Sequence, residues 1–125
     1  MIRYLGIDWG TVRIGLALGD SETKIATPFK TVKNLAEVLE TIRAEEVSLV
    51  IIGQPFSIVD KNFSISNGFS NFVNELKEKI KIPIELVDER LTSKNADALT
   101  GNRKGDAGRD EVAAMLILQS YLDKA

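Results

Sequence analysis

Hydrophobic positions along this chain switch between strand-like and helical spacing, and each switch marks an element. Apolar runs from Tyr4 to Trp9 and from Arg13 to Leu18, separated by Gly10 and Thr11, predict a β-hairpin. A third run from Ile25 to Val32 extends it into an antiparallel meander, and Pro28 within that run points to an edge strand or a bulge. Leu35, Val38, Leu39 and Ile42 then fall at i, i+3, i+4 and i+7, an amphipathic helix with Asn34 and Glu37 placed as a capping box. Leu49, Val50, Ile51 and Ile52, closed by Gly53, form the continuous aliphatic run of a central strand buried on both faces and parallel to its neighbour. From Gln54 to Gly68 the chain is polar and without period, which predicts a mobile surface loop. Phe69, Phe72, Val73, Leu76 and Ile80 line a second helix, and Ile82, Ile84 and Leu86 alternate in a strand that reaches Asp88 and Glu89, with Pro83 restricting it to an edge. A short helix from about Ser93 to Leu99, a glycine-containing loop from Gly101 to Gly108 and a final helix from Asp110 to about Lys124 complete the pattern.

The element order βββαβαβαα predicts an α/β fold: a mixed five-stranded sheet, an antiparallel meander plus parallel strands, covered by helices on both faces. A chain of 125 residues with 44% hydrophobic content fits one domain, 1–125, with a substantial core. It has no apolar run near the roughly 20 residues that span a bilayer and no secretory pattern at its start, so a cytoplasmic location away from membranes is expected.

Composition narrows the chemistry. With no histidine and no cysteine, serine–histidine triads, thiolate nucleophiles and ordinary zinc sites are excluded. Sixteen basic against 18 acidic residues leave a net charge of −2, so any contact with nucleic acid must be local. The acids that remain fall where α/β sheets bind ligands, at the carboxyl ends of strands: Asp8 ends the first strand, Asp88 and Glu89 the last, and Asp110 opens the closing helix. Because side chains alternate along a strand, only one of Asp88 and Glu89 can share the face of Asp8. Carboxylates gathered this way repel one another unless a cation lies between them, and hard oxygen donors select Mg²⁺ or Mn²⁺. Each acid also has a plainer role: Asp8 as a turn former, Asp110 as a helix N-cap, Glu89 as a partner for Arg90 or Arg103. Gly10 and Gly15 admit a phosphate to the hairpin backbone or, more commonly, serve a tight turn.

Four blocks, GIDWGTVRIGLALGD (Gly6 to Asp20), LVIIGQP (Leu49 to Pro55), VDERLTS (Val87 to Ser93) and RKGDAGRDEVAAMLIL (Arg103 to Leu118), resemble the YqgF/RuvX family, associated with Holliday-junction resolution and with maturation of the small-subunit ribosomal RNA precursor. The resemblance implies a ribonuclease-H-like fold and a metal-dependent nuclease. It places the family's catalytic, metal-holding acids on Asp8, Glu89 and Asp110, with Asp88 in reserve for Glu89. It places nucleic-acid contacts, or residues that organise the acids, on Arg13, Arg90, Arg103 and Lys104. Where the family reads G-L-P followed by D-G, this chain has Gly53, Gln54, Pro55 and then Asp60, Lys61, so the following loop departs from the pattern.

The first functional expectation is therefore a Mg²⁺- or Mn²⁺-dependent endonuclease acting on structured RNA, the pre-16S ribosomal RNA precursor above all, with branched DNA as the substrate variant. The partners it implies are nucleic acid and ribosomal-subunit or assembly factors. A symmetric junction substrate would call for a homodimer, whereas RNA processing would not. An ATPase of the sugar-kinase or actin type shares the fold, but would need two such domains around a nucleotide. A noncatalytic nucleic-acid or ribosome-assembly module is the third expectation.

Overall fold

The structure is a computed structural model and describes residues 1–10, 12–54, 66–88 and 109–124. Five strands form one sheet: β1 (Arg3–Trp9), β2 (Ile14–Asp20), β3 (Thr27–Val32), β4 (Leu49–Gln54) and β5 (Ile84–Asp88), in the order β3-β2-β1-β4-β5. The pairs β1–β2 and β2–β3 are antiparallel, while β1–β4 and β4–β5 are parallel. The aliphatic run of β4 is central as its composition requires, buried from Leu49 to Gly53. The two proline-bearing segments take the edges. In β3 the ladder passes from Leu16↔Lys30 to Ala17↔Pro28, which leaves Phe29 as the additional residue of a bulge.

Three helices cover the described sheet. Helix α1 (Leu35–Ala44) starts where Asn34 Oδ1 accepts the Glu37 N–H at 3.0 Å, and the Glu37 carboxylate reaches back to the Lys33 N–H at 2.7 Å. That is a capping box with its return bond one residue earlier than usual. Helix α2 (Ser66–Lys79) joins α1 on one face. There Leu5, Ile7, Leu16, Val50 and Ile52 pack with Val38, Ile42, Phe69, Phe72, Val73 and Leu76. Helix α3 (Arg109–Lys124) covers the other face, where Tyr4, Ala17, Leu49 and Ile51 meet Ala114, Ile117, Leu118 and Leu122. Period-two strands and a central sheet thus divide the apolar side chains into two cores.

Several boundaries differ from the sequence expectation, each for a physical reason. Trp9 pairs with Ile14, so the hairpin connection runs from Gly10 to Arg13 and Arg13 lies outside β2. Gln54 belongs to β4, and the segment Ser66–Gly68 already belongs to α2, so the loop expected from Gln54 to Gly68 is shorter at both ends. The polar composition of those end residues hid their place in the ladder and in the helix. The remainder of that loop, the expected helix from Ser93 to Leu99 and the Gly101 to Gly108 loop lie outside the described residues. Among the described residues no helix is long and apolar enough to cross a membrane.

Candidate active site

The parallel strands β1, β4 and β5 end together, at Trp9, Gln54 and Asp88, and define the carboxyl edge of the sheet. Asp8 is the penultimate residue of β1 and is half-buried. Its place in the ladder, opposite Gly15 of β2, removes the turn-former reading. Tyr4 packs in the core beneath α3, and a Cβ built on Gly6 would point at Leu118 and Ala114 of that helix, 2.8 and 2.9 Å away. Asp8 continues the same alternation and presents its carboxylate on the α3 face.

Gly15 explains how the closing helix reaches this place. A side chain there would overlap the backbone carbonyl of Asp110, with the Asp110 Cβ 3.0 Å from the added atom. The first turn of α3 therefore lies directly on Gly15, and cross-strand neighbours share a face, so Asp8 and Asp110 occupy adjoining ground. Gly15 is not a turn residue and offers no open backbone to a phosphate, since α3 covers it. Gly10 does sit in the hairpin connection, where a Cβ would meet the Arg13 carbonyl at 2.7 Å.

Helix α3 begins at Arg109, one residue earlier than expected, so Asp110 stands inside the first turn and is not the N-cap. Its carboxylate is free of the capping bond and turns to Arg13, whose Nε lies 3.2 Å from Asp110 Oδ2. The Arg13 side chain is 65% exposed and that of Asp110 31%, so this ion pair is open to solvent. A negative charge in the first turn is also favoured by the helix dipole.

On the far side of Asp8, β5 carries Glu85 and Val87 on the α3 face: the Tyr121 hydroxyl of α3 donates to Glu85 Oε2 at 2.9 Å, and Val87 packs against the same core. The Glu85 contact holds the Tyr121 hydroxyl above its ordinary phenol pKa, because the carboxylate accepts its proton and burial adds to the effect. Asp88 pairs with Gln54 at the end of the ladder. Glu89, Arg90, Arg103 and Lys104 lie outside the described residues. Two of the three expected acids are therefore brought together, with one of the four expected basic residues beside them. No group of three carboxylates able to hold a metal occurs among the described residues.

A contact that sequence reading missed is that of Gln119 in α3. Its side-chain oxygen accepts the Ala26 N–H at 2.9 Å, and its amide donates to the Lys24 carbonyl and to Asp123, both at 3.0 Å. It ties the segment before β3 to α3. A glutamine in an apolar stripe was the available signal.

The profile of the family described as RuvX, Holliday junction resolvase, matches residues 2–124. A protein of Endomicrobium trichonymphae provisionally named pre-16S rRNA nuclease is 35% identical, the match covering 98% of this chain and 96% of the relative. A Mycobacterium leprae protein of the same provisional name is 37% identical over 98% of this chain and 73% of its own. Among solved structures, T. thermophilus RuvC in complex with Holliday junction substrate superposes with a TM-score of 0.65 at 15% identity, covering 99% of this chain and 95% of the other. The Fowlpox virus resolvase bound to Holliday junction DNA gives 0.63 at 12%, covering 98% of both. At such identities the structural likeness concerns the fold, which is ribonuclease-H-like.

Proposed function

This chain belongs to the RuvX family, and from that premise we propose that it is a metal-dependent endonuclease hydrolysing phosphodiester bonds in the structured precursor of small-subunit ribosomal RNA. Relatives provisionally named pre-16S rRNA nuclease support the RNA substrate, and the family description supports branched DNA as the second reading. The meeting of Asp8 and Asp110 on one face at the carboxyl edge of the sheet carries the reading. Two acids from opposite ends of the chain adjoin there, and their oxygen donors suit a hard divalent ion.

Asp8, Glu89 and Asp110 would hold Mg²⁺ or Mn²⁺, which when bound supplies an activated water and neutralises charge on the phosphate. The alternation that places Glu85 and Val87 on the α3 face favours Glu89 over Asp88 as the third acid. Asp8 is fixed by the ladder, and Asp110 by the seat of α3 on Gly15, so both are oriented before substrate arrives. Arg13, Arg90, Arg103 and Lys104 would bind the phosphodiester backbone beside the acids, which suits a chain whose overall charge does not attract nucleic acid. In a cytoplasmic setting the partners would be the RNA precursor and the assembling small subunit; a junction substrate would require a two-fold dimer.

A divalent-metal cleavage assay on matched structured RNA and four-way DNA, with Asp8→Asn as control, tests this. Cleavage of the RNA is expected from the unaltered protein, with Asp8→Asn binding but not cutting. Cutting of the junction alone would transfer the assignment to the DNA reading. Binding of either without cutting would leave a noncatalytic module, and ATP hydrolysis without cutting an ATPase.

A further inference from the structure

We propose that Arg13 is an exchangeable counter-ion: it neutralises Asp110 while the site holds no metal and gives up that carboxylate when the divalent ion binds, freeing its guanidinium for a substrate phosphate. The inference rests on the carboxylate metal site proposed above. It is carried by the placement of Arg13. The residue immediately precedes β2, in the same hairpin connection that follows Asp8, and its Nε lies 3.2 Å from Asp110 Oδ2. The Arg13 side chain is 65% exposed, so the pair is weak enough to be replaced by a doubly charged ion. The seat of α3 on Gly15 holds the Asp110 backbone in place, so the exchange falls to the Arg13 side chain. An arginine leaving a carboxylate at an exposed rim retains the fork geometry that suits a phosphate.

The test measures Mn²⁺ affinity by titration calorimetry at low ionic strength without nucleic acid, and separately the binding of structured RNA and of four-way DNA with Ca²⁺ as a filling ion and again in EDTA. Arg13→Ala and Arg13→Gln should each bind Mn²⁺ about two- to fivefold more tightly, because the ion no longer competes with a resident cation. With Ca²⁺ present both should bind nucleic acid more weakly, with a salt dependence shallower by about one phosphate contact, whereas in EDTA, where Asp110 holds the guanidinium, the loss should be smaller; an equal loss in EDTA would overturn the exchange. Arg3→Ala is the charge control: it removes the same charge from a pair with Glu45 at 3.8 Å near the start of β1, the opposite end of that strand, and should leave Mn²⁺ affinity unchanged. Weaker or unaltered Mn²⁺ binding in the Arg13 variants would make Arg13 a fixed support of Asp110 and overturn the exchange. Equal tightening by Arg3→Ala would reduce it to net charge and overturn it as well. Absence of Mn²⁺ binding by the unaltered chain, with or without RNA present, would remove the metal site and this inference together.

Discussion

At Gly15 the first turn of α3 rests so close to β2 that a methyl group would overlap the Asp110 carbonyl. Gly15→Ala should therefore destabilise by about 1–3 kcal/mol in urea denaturation, as overpacking does, and should also slow cleavage because Asp110 is carried by the displaced turn. Asp20 poses a separate residue-scale case at the other end of β2. Its carboxylate accepts the Thr23 N–H at 2.8 Å, the Glu22 N–H at 3.0 Å and the Thr23 hydroxyl at 3.1 Å, and the Thr23 N–H bond above all holds its pKa below the usual 3.8. A lowered folded pKa means a contribution fully present above the unfolded value and lost as pH falls through the folded one. The stability difference between the unaltered chain and Asp20→Ala should shrink on acidification below about pH 4 in denaturation series. The place of Asp8 at the end of the first strand was legible in sequence because the apolar run before it defines that strand, although a turn-forming role stayed open there. Gly15 was not, since a glycine near a hairpin has a commoner local cause and the helix that needs the space lies at the other end of the chain.

At the scale of elements, local chemistry and long-range tethers separate cleanly. Helix α1 starts at Asn34 for reasons contained in a few neighbouring residues, and Asn34→Ala should cost about 1 kcal/mol by loss of the Glu37 N–H partner, read by urea denaturation. The edge position of β3 and its bulge were written in Pro28, which cannot donate to a ladder. The start of α3 was misplaced by one residue because aspartate is a favoured cap. Yet Asp110 in the first turn keeps its carboxylate for Arg13. Gln119 shows the reverse dependence: its three hydrogen bonds include one to Ala26, 93 positions away, which no periodicity reveals. Gln119→Ala should release the segment before β3, at a cost of about 1 kcal/mol and with faster hydrogen exchange at the Ala26 amide.

For the whole molecule, the proposed site links metal to folding. An ion that binds only the folded chain stabilises it by about 1.4 kcal/mol at tenfold excess over its Kd, so Mn²⁺ should raise the melting temperature. Asp8→Asn, Glu89→Gln and Asp110→Asn should each blunt that rise in a thermal melt, and a melting temperature indifferent to Mn²⁺ would count against the carboxylate site. The amino-acid sequence determined the strands, the principal helices, the edge and central positions in the sheet and the exclusion of histidine and cysteine chemistry, because periodicity, proline and composition act through near neighbours. Tertiary structure alone decided that Gly15 yields its space to a distant helix, that Asp110 thereby adjoins Asp8 on one face, and that Arg13 leaves the strand to pair with it. Those relations depend on the seating of a helix across a sheet, where close packing of remote segments sets each position to fractions of an ångström and chain spacing carries no record of it.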